Sequence, residues 1–323
     1  MTATLQKRIR TAKTKALLAT EPVASKLEAA LTVAATEISK TIHWSEIPVW
    51  MQDNSFILSG YRREQGTWKG CIESIFGYLH NQTVNIHTHL WGAVIFLILL
   101  FATHYTLLTQ YPTATWLDVT SFSIFLLAAI ACLGLSATFH VSMSHSEKVS
   151  HSCGMFDYAG IVALIVGSFY ANVYYGFYCS PVSQIIYLSI ITIAGSAAAY
   201  VVLSPTYATP AYRWHRTLIF IALGLCALFP VTHAFFASGI EKMRSEMGLT
   251  WMIVGGALYI SGALIYAGRV PERWYPGKFD YFFASHQIFH THVLLAALAH
   301  YMCLLTAFQH RHTVDGGRCL ALA

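Results

Sequence analysis

From residue 88 onward the chain is a succession of apolar blocks of about twenty residues each, and this pattern leaves few folds open. A hydrocarbon core about 30 Å thick is crossed by a helix of about 20 residues, because in lipid every backbone amide must find its partner inside the segment. The blocks fall at roughly 88–110, 117–140, 154–178, 182–204, 215–238, 248–269 and 285–308. Hydrophobic residues make up 55% of the 323 and charged residues only 11%. An average soluble domain carries about 25% charged residues, so a water-facing surface is out of reach. The pattern predicts an all-α integral membrane protein, a bundle of seven transmembrane helices. Residues 1–85 form a polar region before the membrane, 86–308 the membrane domain and 309–323 a short tail. A short amphipathic helix is expected near residues 27–38, and no internal repeat is visible. Pro230, inside the fifth block, is expected to kink it.

Seven crossings put the two ends on opposite sides, and the basic residues indicate which side is which. Ten of the twenty Lys and Arg lie in residues 1–85. On the same side fall Lys148, Arg213, Arg216, Arg269, Arg273 and Lys278; on the other lie Lys242, Arg244, Arg311 and Arg318. Counting loops alone, the bias is six to two. Cytoplasmic loops are enriched in Lys and Arg, so the N-terminus is expected in the cytosol and the tail outside or in a lumen. That orientation is opposite to a G-protein-coupled receptor. The basic N-terminal region reads as a partner of an anionic membrane surface, not of nucleic acid. Its first twenty residues are basic and Thr-rich but lack the arginine and serine density of a transit peptide, and no apolar signal region precedes residue 40. The seven cysteines are scattered and show no C-x-x-C, so neither a disulfide framework nor a thiolate metal site is expected.

Acids are scarce within the blocks, and Asp157 is the one inside an apolar run. An ionisable group there marks a functional site unless a partner explains it. The second block ends with Ser136 and His140, four residues apart and so on one helix face. The seventh opens with His286 and His290 at the same spacing, which lets two imidazoles reach one ion. Each of these segments has its relevant end on the N-terminal side, so His140, Asp157, His286 and His290 share one depth. Three histidines with a carboxylate suit a catalytic zinc centre, which uses three protein ligands and leaves a fourth position for water. His233, His292 and His300 read as helix-packing residues.

Four stretches give the chain a family resemblance: EIPVWMQDNSFILSGYR at 46–62, ESIFGYLHNQTVNIHTHLWG at 73–92, SATFHVSMSHSEKVSHSCGMFDYAGI at 136–161, and SHQIFHTHV at 285–293. Together they resemble the progestin and adipoQ receptor family, which includes adiponectin receptors and is related to haemolysin III proteins. The resemblance implies a cytosolic N-terminus and a zinc ion held by His140, His286 and His290. It further implies that Asp157 holds the metal-bound water, with Ser136 behind it. It implies hydrolysis of a lipid amide such as ceramide, and an extracellular protein or small ligand as a regulator. On that reading Asp157 acts as general base and Ser136 orients the water or the oxyanion. Arg213 or Arg216 would attract a product carboxylate. The competing reading is a seven-helix receptor with a structural zinc and no hydrolase activity. Two positions depart from the family, Gln82 for its usual Glu and His87 for its usual Trp. Neither is expected to touch the ligands.

Overall fold

The computed structural model describes residues 25–26, 28–29, 40–207 and 209–319. The expected helix at 27–38 falls, but for two residues, outside this set. A two-stranded sheet pairs β1 (Thr41–Ile42) antiparallel to β2 (Tyr61–Arg62). A short helix α1 (Trp68–Gly77) follows. Then come α2 (Thr83–Gln110), α3 (Trp116–Ser142), α4 (Glu147–Gly176), α5 (Pro181–Val202), α6 (Arg213–Leu225), α7 (Leu228–Met247), α8 (Leu249–Gly268) and α9 (Ser285–Gln309). Among the described residues seven helical segments are long and apolar enough to cross a membrane, α6 and α7 together forming the fifth. The protein is a seven-helix membrane bundle. Large apolar side chains such as Phe101, Ile193 and Phe236 point outward, as lipid contact requires.

Two spans begin earlier than hydropathy suggests. α2 starts at Thr83, because its first two turns carry polar residues that the bundle itself covers, Asn85 and His89 among them; α4 starts at Glu147, its first turns largely exposed. The fifth span is interrupted near Pro230, as expected of a proline kink. Its two helices meet at Cys226 and Ala227, one turn before Pro230. The proline ring clashes with the carbonyl four residues back, which is that of Cys226. Further on, Gly239 at φ 76° turns the chain out of the helix path.

Lipid offers no hydrophobic drive for helix association, so close packing must supply it, and small residues permit close packing. A Cβ on Gly160 of α4 would lie 3.0 Å from the Cα of Cys132 on α3. One on Gly167 would lie 2.8 Å from the Cβ of Ala128. Around this α3–α4 seam, α2 and α9 complete a buried core that includes Phe96, Phe122, Phe125, Leu133, Leu304 and Phe308.

The face opposite the histidine ends of α3 and α9, here the distal face, corrects the expectation that no disulfide forms. Cys179, after α4, is bonded to Cys319 in the tail, with their Cα atoms 5.5 Å apart. The two are 140 positions apart in sequence, so no spacing motif signals them; each follows a span that ends on the distal face. Nearby, Asp118 at the start of α3 is fully buried and accepts from His312 Nε2 at 3.1 Å and from the Tyr175 hydroxyl at 3.0 Å. The tail is thus bound into the bundle.

Candidate metal centre

Two buried ions anchor the helix ends that carry the histidines. Arg62, the last residue of β2, reaches the C-terminal turn of α3. Its guanidinium donates to the carbonyls of His140 at 2.5 Å and Val141 at 3.1 Å, and to the Ser74 hydroxyl at 2.9 Å. A cation is favoured where a helix leaves unpaired carbonyls. Burial pulls the Arg62 guanidinium down from its ordinary value to about 10, so it stays charged at neutral pH. Glu272, in the loop after α8, plays the converse part at α9. Its carboxylate accepts from the Ser285 backbone N–H at 2.8 Å and from the Ser285 hydroxyl, and it is fully buried. An anion at a helix N-terminus is stabilised by the same dipole. The segment before α1 ties this loop down. Leu58 N and Ser59 Oγ donate to Asp280 at 2.9 and 2.6 Å, Asn54 donates to Glu272 at 3.1 Å, and Arg269 pairs with Asp53 at 3.2 Å.

With both ends held, His140, His286 and His290 converge. Their ring centroids stand 4.9, 4.7 and 4.8 Å apart, a nearly equilateral triangle. One ligand nitrogen from each lies within 4.8 Å of the others. Among the described residues this is the group of His, Cys, Asp or Glu whose donors could share an ion. The hydrogen bonds fix two tautomers. His290 Nδ1 is 3.1 Å from the Asn85 carbonyl, which can only accept, so Nδ1 carries the proton and Nε2 is bare. His140 Nδ1 is 2.8 Å from Gln82 Oε1, and its Nε2 is buried with no protein partner. His286 packs its ring 4.8 Å from Tyr266. Neutral imidazoles whose nitrogens cluster this closely are what a zinc ion binds, so the donor set fits.

Asp157 lies on α4 beside the Ser136 hydroxyl of α3 and is buried. It stands outside the three-histidine group. Asp157 and His286 are among the residues lining a cavity of about 870 Å³ that extends between α4, α6, α7, α8 and α9. Arg216 lines it too, its guanidinium 4.8 Å over the Tyr158 ring and donating to the carbonyls of Tyr207 and Thr209. Arg213 donates to the Ala267 carbonyl at 3.3 Å. His292 bonds to its own helix at the Ile288 carbonyl, 2.9 Å away, which is a packing role. His233 meets Tyr187 at 3.1 Å, away from the centre.

One expectation is overturned here. Gln82 touches a ligand, because α2 begins at Thr83 and brings the preceding residues under the triangle. His87, the other departure, bonds to the Ile75 carbonyl at 2.9 Å. Sequence reasoning also passed over His89. Its ring stacks on His290 at 3.6 Å and 9°, with Nε2 donating to the His290 carbonyl at 3.3 Å. The signal for both was a run of polar residues, Asn81, Gln82, Asn85 and His89, leading into an apolar helix.

A profile of the family described as Haemolysin-III related matches residues 77–301. The chain is 40% identical over 264 residues to the adiponectin receptor protein of Drosophila melanogaster, which covers 81% of this chain and 58% of the fly protein. It is 37% identical over 270 residues to the ADIPOR-like receptor IZH2 of Saccharomyces cerevisiae, covering 83% of this chain and 84% of the yeast protein. It is 34% identical over 275 residues to heptahelical transmembrane protein 1 of Arabidopsis thaliana, covering 84% and 82%. The chain therefore spans under two thirds of the fly protein's length and most of the other two.

Proposed function

The chain belongs to the haemolysin-III related family, with adiponectin-receptor-like relatives, and on that premise we propose that it is a zinc-dependent hydrolase of lipid amides such as ceramide. The observation that carries this reading is the bare, buried Nε2 of His140 in a cluster with two further histidines, of which His286 lines a lipid-sized cavity together with Asp157. His140, His286 and His290 would hold the metal. When bound, zinc supplies Lewis acidity and makes water more acidic. Asp157 takes a proton from the attacking water on a carboxylate oxygen and returns it to the departing amine nitrogen. Ser136 holds that carboxylate in place. The products are a carboxylate and an amine, one water being consumed for each amide bond broken. The cavity falls in the size range of small-molecule sites and is walled mainly by apolar side chains, which suits an acyl chain arriving from the bilayer. The centre lies on the face that carries the basic loops, which supports a cytosolic N-terminus and a cytosolic centre. The Cys179–Cys319 bond on the distal face supports the same orientation, since disulfides persist in oxidising compartments.

The test uses purified full-length chain with zinc, assayed against a panel of ceramides. Turnover is expected in the wild type and its loss in His290→Ala, together with loss of zinc by elemental analysis. Asp157→Ala is expected to retain zinc and lose turnover. Zinc retained at one per chain in His290→Ala would remove that ligand, and undiminished turnover in Asp157→Ala would remove the general base.

A further inference from the structure

We infer that Gln82 is a positioning residue of the histidine centre, whose side-chain oxygen decides which nitrogen of His140 faces the metal. The inference rests on the zinc reading above and adds a residue that lies outside the triangle. His140 Nδ1 stands 2.8 Å from Gln82 Oε1. Asn85 Nδ2 donates to the same oxygen at 2.8 Å. Two donors converging on one atom fix the amide with its oxygen toward His140. An oxygen acceptor demands the proton on Nδ1, so Nε2 is left as the lone-pair nitrogen, and Nε2 is the ring atom without a protein partner.

The root of the Gln82 side chain is equally constrained. Its backbone N–H donates to His80 Nδ1 at 3.2 Å, and its carbonyl accepts from Ile86 N at 3.0 Å. No metal ligand sits on α2. Yet the first two turns of this helix and the residue before it hold two of the three ligands, Gln82 on His140 and the Asn85 carbonyl with the His89 ring on His290. Asn85 reaches His290 through its backbone, so Gln82 is the contact that side-chain replacement can remove. A residue that merely capped α2 would leave metal affinity unmoved. A residue that orients His140 must move it, and must do so according to its strength as an acceptor.

The experiment measures zinc affinity of the full-length chain in nanodiscs by competition with a chromophoric chelator, with the cobalt absorption spectrum as a second readout. Gln82→Leu withdraws the acceptor and is expected to weaken zinc binding by about 10–100-fold, the usual effect of losing an outer-shell partner. Gln82→Glu supplies a charged acceptor and is expected to bind at least as tightly as the wild type. Gln82→Asn keeps the amide but shortens its reach; it is expected to fall between the two, and it serves if the leucine variant does not fold. A folded Gln82→Leu with wild-type affinity and an unchanged cobalt spectrum overturns the inference and leaves the zinc reading standing. A wild type that takes up no zinc overturns both.

Discussion

Replacing Gly160 with Ala tests how far the catalytic reading depends on one helix contact. The new Cβ would sit 3.0 Å from the Cα of Cys132. Carbon atoms rest comfortably about 3.5–4.0 Å apart, so the seam must open by about 0.5–1 Å. The obstructing atom is backbone and cannot rotate away. In the antiparallel α3–α4 pair, Ser136 lies one turn along from Cys132 and Asp157 one turn along from Gly160, in matching directions. Opening the seam therefore separates Asp157 from Ser136 directly. Overpacking of this kind costs about 1–3 kcal/mol. Gly134 on α3 is the control, since a Cβ there meets nothing within 4 Å. Both substitutions gain the same helix propensity, at most about 1 kcal/mol, so their difference isolates the clash. Thermal unfolding in nanodiscs should place Gly160→Ala below Gly134→Ala by that 1–3 kcal/mol. Misplacement of about 1 Å at a reacting group costs about a hundredfold, so ceramide turnover should fall by about ten- to a hundredfold in Gly160→Ala alone. Equal melting and equal turnover in the two variants would refute the argument.

Arg62→Leu leaves the His140 and Val141 carbonyls and the Ser74 hydroxyl without their buried donor, and should lower stability by about 1–3 kcal/mol, read as the unfolding midpoint in denaturant. It should also weaken zinc binding, because the end of α3 carries His140. His80 supplies the pH dependence. Burial, aided by the nearby Arg62 charge, pushes its imidazole down from 6.5 to about 3. The folded form keeps it neutral, with Nδ1 accepting from Gln82 N and Nε2 donating to the Ser74 carbonyl. The unfolded chain takes up the proton first, so stability contributed here is full above the unfolded value of 6.5 and is lost as pH falls toward 3. His80→Gln should flatten the decline of melting temperature between neutral and acid pH; an unchanged slope would remove His80 from the account.

Much of this architecture can be read from the chain because membrane physics is restrictive. Blocks of fixed length become helices, and their alternation sets the relative depth of His140, Asp157, His286 and His290. What escaped that reading shares a cause. Depth is inferred from hydropathy, and hydropathy places the start of α2 at 88, five residues after its true first residue, Thr83. Gln82, Asn85 and His89 were thereby separated from a centre they help to hold. The anchors Arg62 and Glu272 lie in segments without periodicity, where only tertiary folding brings a guanidinium to one helix end and a carboxylate to another. The pairing of Asp118 with His312 joins residues 194 positions apart, a distance at which no local pattern speaks.

The bond between Cys179 and Cys319 has a further meaning for how the molecule is made and taken apart. It turns everything from the end of the third span to the tail into a covalent ring containing spans four to seven. Its second thiol arrives only after the last crossing has been threaded, so closure records that all seven are in place. Once closed, a protease cut in any loop inside the ring leaves the pieces joined until a reductant is added, and the same gel run with and without thiol would show it.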